Sequence, residues 1–397
     1  MIEVPAFCKQ DAPQDWATLP QTLTDALVGS NQHAKLIFID QQGRALVQTY
    51  QDLVVDAQTI ASGLRKTPVE GSSPILIQLT SSEEIIKAFW GCLFSGLQPI
   101  ICPVPESFDS ESRPIDQLRH LYSLMDRPAI LSNSEHRSAI RRSPLLSELH
   151  DADFFDLNQL RQASNDRQVY CAKPDDVAFF TLSSGSTGLP KAIPLSHSNM
   201  ITRGRGANIL CKNQPDDVIL SWLPFDHIGN ISAYHVSPIL CGSDLVYAPK
   251  EYILAKPTRW LDLIDKYRIT HSWAPNFAFG LIAKQLQKND HSLDQNWDLS
   301  CLKGLLSAGE LISHLTVRSF IDETQRYGLK PNSVISAFGM AEVCSGVNYH
   351  LPATGESIQF AHLDRNSLDG DISLLTSDDP KSISFANLGP IAPGMAM

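Results

Sequence analysis

The stretch "FFTLSSGSTGLPKAIPLSH", Phe179 to His197, gathers residue types that can hold an anion. A β-prone apolar run delivers Ser183, Ser184, Gly185, Ser186, Thr187 and Gly188 to one turn, and Lys191 follows shortly after. Glycines and small side chains let backbone N–H groups close on phosphate oxygens, hydroxyls add donors, and an ammonium adds a point charge. A Walker-type loop is disfavoured. That motif needs four residues between its glycines and a lysine directly after the second, whereas Gly185 and Gly188 are close together and Lys191 stands beyond Leu189 and Pro190. A flexible Ser/Gly turn accounts for SGSTG alone; the strand before it and the "PK" after it favour a phosphate site. A nucleophile-elbow GxSxG is missing.

The elements that must position this turn follow an α/β pattern. Short β-branched or aromatic runs alternate with amphipathic stretches, as in parallel sheets covered by helices. Expected strands include "PILIQL" near Ile75, "QPIICPV" near Ile100, "VAFFTL" near Phe179, "DVILSW" near Ile219, "DLVYA" near Val246, "ITHSWA" near Thr270 and "NSVISAF" near Val334. "SSEEIIKAFWGCLFSG" carries Ser81 at capping-box spacing before Glu84 and Gly96 at its end, and a second helix spans Ser313 to Tyr327 with Gly328 to stop it. Pro352 to Ser384 reads as a surface excursion with a short strand or two, and "HRSAIRRS", His136 to Ser143, as a solvated helix face.

Composition sets the limits. With 397 residues, 43% of them hydrophobic and 19% charged, the chain buries a large core and divides into subdomains. A net charge of −11 argues against nucleic acid as a partner. Cys8, Cys92, Cys102, Cys171, Cys211, Cys241, Cys301 and Cys344 stand singly, without CxxC pairs, and read as buried thiols in a reducing compartment. No apolar run approaches membrane-spanning length, and a cytoplasmic location is expected, without membrane insertion.

"TLSSGSTGLPK" resembles the phosphate-binding signature of the adenylate-forming superfamily, which includes acyl-CoA synthetases, peptide-synthetase adenylation domains and fatty acyl-AMP ligases. Further landmarks follow the family order: "TYQDL" at Thr49, "FWGCLFSGLQPIICPVP" at Phe89, "WLPFDHIGNI" at Trp222, "SAGE" at Ser307 and "SAFGMAE" at Ser336. Ala341 stands where most members carry a hydroxyl residue. That, with "LDRNSLDGDI" and "ANLGPIAPGM", is similar to fatty acyl-AMP ligases and to loading domains of polyketide and peptide synthases. The resemblance implies a large N-terminal domain of two helix-covered β-sheets plus a smaller β-rich subdomain. Its subdomains fall at roughly 1–170 and 171–345, with 346–397 leading into the β-rich part. The family's small C-terminal lid, with its adenylation lysine, is expected to lie outside this sequence, which ends inside a family motif.

The resemblance also implies roles. ATP would be held by Ser183 to Gly188 and Lys191, with Ala308, Gly309 and Glu310 lining the adenine pocket, Phe338 against adenine, Gly339 near the sugar and Met340 beside them. Glu342 would hold Mg2+, a hard cation that prefers carboxylate and phosphate oxygens. Lys191, Thr187, His227 and Glu342 are the expected catalytic set. If Asp226 faces the pocket, the substrate is an amino acid; if His227 does, it is an acid without an amine, and acyl-ligase spacing favours His227. Asn276, Phe277 and Gly280, in a run that also holds Phe279, are expected in the wall around an apolar chain. The implied reaction is ATP-dependent activation of a fatty or other acyl acid to acyl-AMP, releasing pyrophosphate. Transfer to a carrier-protein phosphopantetheine would follow; an acyl-CoA synthetase, an amino-acid adenylation domain and a non-catalytic nucleotide-binding fragment are the alternatives.

Overall fold

A computed structural model of the chain describes residues 19–184, 189–288 and 296–395. After the short helix Leu23–Val28 comes an antiparallel hairpin, β1 (Lys35–Ile39) and β2 (Ala45–Thr49). Thr49 then caps the helix Tyr50–Leu64: its hydroxyl accepts from the Asp52 N–H while the Asp52 carboxylate accepts from the Thr49 N–H at 2.8 Å. The "TYQDL" landmark is thus a helix start.

Next come β3 (Pro74–Gln78), β4 (Gln98–Ile101), β5 (Ala129–Ser132), β6 (Phe154–Asp156), β7 (Val177–Ser184) and β8 (Pro190–Ser196). They form a six-stranded sheet in the order β6-β5-β3-β4-β7-β8, parallel except for the β7–β8 hairpin at its edge. Then β9 (Val218–Ser221), β10 (Asp244–Tyr247), β11 (His271–Ala274), β12 (Gly304–Ser307), β13 (Val334–Met340) and β14 (Ser345–His350) join the β1–β2 hairpin. The resulting eight-stranded order is β14-β13-β12-β11-β9-β10-β1-β2, parallel within and antiparallel at both edges. A separate antiparallel pair, β15 (Phe360–Asp364) and β16 (Ser382–Ala386), lies in the polar excursion. The architecture is the expected α/β one, and each strand anticipated from its apolar run is present. Sheet membership groups the chain differently from a linear division near residue 170, because β7 and β8 stay with the six-stranded sheet while β1 and β2 join the larger one.

One core ties the sheets together. Ile75, Ile77 and Phe179 of the smaller sheet and Leu36, Phe38 and Leu245 of the larger belong to the same buried cluster, filled by Trp90, Phe89 and Phe94. Gly91 lets the helix Ser82–Ser95 press on Tyr50–Leu64, since a Cβ there would lie 2.4 Å from Ile60. The buried Lys87 clamps the same contact, reaching Asp56 at 2.7 Å and Glu83 at 2.6 Å.

Some local expectations need correction. Ser81 occupies the N-cap of Ser82–Ser95 but makes no side-chain cap bond. No capping box with Glu84 forms, and burial raises the pKa of the Glu84 carboxyl. Gly96 does end that helix in the left-handed conformation, and Gly328 does the same after the Gln325–Tyr327 turn that follows the helix His314–Thr324. Cys171 is exposed, and Cys211, Cys241 and Cys301 are only partly covered; Cys8 lies outside the described residues. The basic segment is the helix Ser134–Arg142, which buries only Ile140 and lays Arg137 and Arg141 against the Phe154 ring.

Candidate active site

The two edge hairpins carry the charged groups. In β7–β8 the register sets Ser183 opposite Lys191. Directly opposed residues share a face, and both line a cavity of about 460 Å³. Lys191 is exposed and makes no ion pair among the described residues. Gly185, Ser186, Thr187, Gly188 and the side chain of Ser184 lie outside the described residues.

The second hairpin closes the same cavity. Between β13 and β14 the register slips at Phe338/Gly339, a bulge that bends the strand. Only glycine fits at 339, because a Cβ would lie 2.1 Å from the Ser345 carbonyl oxygen. A single 3-10 turn, Ala341–Val343, follows, and Cys344 (φ 62°) and Ser345 (φ 105°) reverse the chain through a conformation costly for residues with a Cβ. This tight reversal presents Glu342 at the cavity wall, exposed and without a cationic partner among the described residues. A free carboxylate facing an open, polar-edged cavity is a suitable ligand for a hard cation, so the residues fit magnesium. Phe338, Gly339, Met340, Ala308 and Gly309 border the cavity beside it.

His227 lines the same cavity. It caps the short helix Ile228–Ile231, its Nδ1 accepting from the Gly229 N–H at 3.1 Å. The ring proton therefore sits on Nε2. The surrounding protein lowers the ring's pKa by desolvation, opposed by Asp226, so the imidazole is neutral at pH 7 and its Nε2–H is a donor. Gly229 lets Trp273 come against it: a Cβ there would be 2.8 Å from the indole, and the His227 and Trp273 rings are 5.5 Å apart. The chain then makes a π-helical turn, Ser232–Val236, which widens the helix and brings Ala233 and Tyr234 to the cavity. Tyr234 stacks on Trp273 at 5.4 Å and 18° and donates to the Ser272 carbonyl at 3.1 Å.

Asp226 goes elsewhere. It lines a separate crevice of about 800 Å³, with Arg44, Lys250, Glu83, Glu106 and Glu251, and desolvation raises its pKa. The two residues sit in a turn closed by the His227 N–H on the Pro224 carbonyl at 3.3 Å, and the Asp226–His227 pair divides between two openings. Among the expected wall residues, Asn276, Phe277 and Gly280 do not line the His227 cavity. The helix Asn276–Lys288 turns Ala278, Phe279, Ile282, Ala283 and Leu286 into the second core, a stripe at helical period that leaves Phe277 46% exposed and sets Gly280 against Thr316. The Asn276 Oδ1 accepts from the Ser313 N–H at 3.1 Å. Glu310 is also absent from the lining: its carboxylate accepts from the Phe277 N–H at 2.6 Å and anchors that helix's start, where the macrodipole favours a negative charge. Arg203, Tyr234 and Tyr349, which border the cavity, carry no motif that marks them in the sequence.

Parallel sheets that present their carboxyl ends to a shared cavity are the usual ground for nucleotide and small-molecule sites, and here the arrangement is that of adenylation domains. A model of the AMP-binding enzyme family matches residues 28–362, and the chain belongs to that family. Microperfuranone synthase of Emericella nidulans is 27% identical over 377 residues, covering 93% of this chain but 37% of that relative. The chain therefore spans little more than a third of that relative's length. Among solved structures, the adenylation domain of a keto acid-selecting NRPS module bound to keto acyl adenylate superposes with a TM-score of 0.90 at 27% identity, covering 99% of this chain and 71% of that one. McyG A-PCP complexed with phenylalanyl-adenylate superposes with a TM-score of 0.84 at 29% identity, covering 97% of this chain and 57% of that one. No described helix is long and apolar enough to cross a membrane.

Proposed function

We propose that this chain is the ATP- and acid-binding core of an enzyme that converts an amine-free carboxylic acid to its acyl adenylate, for transfer to a carrier-protein thiol. The observation that carries the reading is the convergence of Lys191, Glu342 and His227 on one cavity while Asp226 faces another. An amino-acid substrate calls for a carboxylate beside its ammonium, and the only carboxylate among the described lining residues, Glu342, belongs to the hairpin end suited to the metal.

In the reaction a carboxylate oxygen attacks the α-phosphorus of ATP in line. The new O–P bond forms as the bond to pyrophosphate breaks, and the protein contributes position and charge. The neutral His227 donates Nε2–H to the acid's carboxylate and orients it without adding a proton that would quench the nucleophile. Ser183 and Lys191 face the phosphates, with the 185–188 turn assigned to them by the family likeness. Glu342 would hold magnesium, which when bound spreads the phosphates' negative charge. The McyG A-PCP structure supports a carrier protein as acceptor. A fatty chain is less favoured than a compact acid, because Trp273, Tyr234 and Tyr349 wall the cavity with rings and Arg203 places a cation at its border.

Hydroxylamine trapping tests the reading. The full-length protein, given ATP, magnesium and a panel of 2-oxo, aryl, fatty and amino acids, should form hydroxamate with amine-free acids. Hydroxamate from amino acids alone, or nucleotide binding without any adenylate, would refute it.

A further inference from the structure

Arg203 sits in the helix His197–Cys211, wholly buried at 0% exposure, yet it has no carboxylate partner among the described residues. Its guanidinium donates from Nε to the Gly346 carbonyl at 3.1 Å, from Nη1 to the Ser237 hydroxyl at 2.9 Å and from Nη2 to the Tyr349 hydroxyl. All these acceptors are neutral. A buried cation held only by neutral groups keeps its field, which low-dielectric surroundings transmit rather than screen. Lys87, the other fully buried cation among the described residues, has two carboxylates.

The bond to Tyr349 matters most. The phenol oxygen accepts from Arg203, so its own O–H is left to donate, and no acceptor for it is found among the described residues. Burial pushes the Tyr349 pKa up to about 12, so that proton stays on at neutral pH. Arg203 polarises the hydroxyl and strengthens it as a donor. Arg203, Tyr349, Tyr234, Ala233 and Leu306 border both the main cavity and a small pocket behind it, so the pair forms part of the partition at the inner end of the acid site. A plain hydrocarbon tail placed there would leave the donor unsatisfied.

We propose that the Arg203–Tyr349 pair determines specificity by reading an oxygen acceptor on the substrate beyond the carboxylate being activated. Tyr349 makes the contact, and Arg203 is its positioning residue. The inference rests on the proposed acid activation and names the class of acid: one with a carbonyl or hydroxyl oxygen in its body.

The test uses matched acids with the full-length protein: phenylpyruvate against 3-phenylpropanoate, and 4-hydroxyphenylpyruvate against phenylpyruvate. In the wild type the oxygenated member of at least one pair should have the higher kcat/KM for hydroxamate formation, by about tenfold or more. Tyr349→Phe should collapse that ratio by about tenfold, lowering kcat/KM for the oxygenated acid far more than for its partner. Arg203→Met should do the same, with Arg203→Lys restoring part of the ratio; a merely structural role would lower both acids together. Should Arg203→Met not fold, Tyr349→Phe, which removes a single oxygen, decides alone. Equal use of both acids by the wild type in both pairs, or a ratio unmoved in Tyr349→Phe, overturns the proposal. Adenylate formed without such selectivity sinks this inference alone, whereas no adenylate from any acid sinks the functional reading beneath it.

Discussion

At the scale of single residues, the site is built from groups that cost the fold little. Lys191 and Glu342 are exposed and lack ionic partners among the described residues, so their charges are free for ligands. Lys191→Ala and Glu342→Gln should each lower kcat/KM for ATP on the order of 100-fold. Their unfolding free energy should stay within about 0.5 kcal/mol of wild type. Urea denaturation beside pyrophosphate-release kinetics checks both, and unfolding by Lys191→Ala would mean the loop serves structure instead. These positions were legible in the sequence because their neighbours, "SSGSTGLPK" and "SAFGMAE", are contiguous and unusual. Arg203 and Tyr349 were not, since 146 residues separate them and neither stands in a motif.

At the scale of elements, the hairpin β13–β14 presents Glu342, the carboxylate proposed to hold magnesium, and its shape depends on one missing side chain. Gly339→Ala would drive a Cβ into the Ser345 carbonyl, whereas at Gly370 nothing lies within 4 Å. The first substitution should cost about 1–3 kcal/mol and weaken magnesium-nucleotide binding, while Gly370→Ala changes neither. Denaturation and calorimetric titration of both variants would show it, and equal behaviour would remove the bulge from the account. Strand positions were readable where apolar runs were long. The start of the helix after Ser81 was placed correctly, but the side-chain bond expected to cap it is not formed. The Asn276–Lys288 helix likewise exposes what composition alone offered as pocket wall: a period of 3.6 decides which aromatic turns inward, and Phe279 turns in while Phe277 turns out.

At the scale of the whole molecule, buried imidazoles couple folding to pH. Burial lowers the pKa of His235 to about 3 and those of His197 and His271 to about 4, offset in part by Asp176 and Asp25 at His197 and by Asp217 at His271. His235 is wedged among Trp90 Nε1–H, which donates to its Nε2 at 2.7 Å, and the Tyr247 hydroxyl at 2.7 Å. In the unfolded chain each ring titrates near 6.5, so below that pH the unfolded state binds protons the folded state refuses. Their contribution to stability is complete above about pH 6.5 and is lost as pH falls toward 4, at up to about 1.4 kcal/mol per pH unit for each ring. Urea midpoints measured from pH 7 to 4.5 should drop steadily, and a flat profile would contradict the burial of these rings.

The sequence by itself determined the class of fold and the order of its landmarks, and it marked the residues proposed to meet phosphate and metal, because each of these is written in local pattern: an apolar run, a glycine-rich turn, an acid after a strand. Only the tertiary structure set Asp226 and His227 at different cavities, brought Ser183 and Lys191 to the same cavity as Glu342, and revealed an Arg203 without a carboxylate partner among the described residues. Those outcomes depend on which face of a segment meets which distant strand, and contacts across more than a hundred residues are chosen by the packing of the shared core.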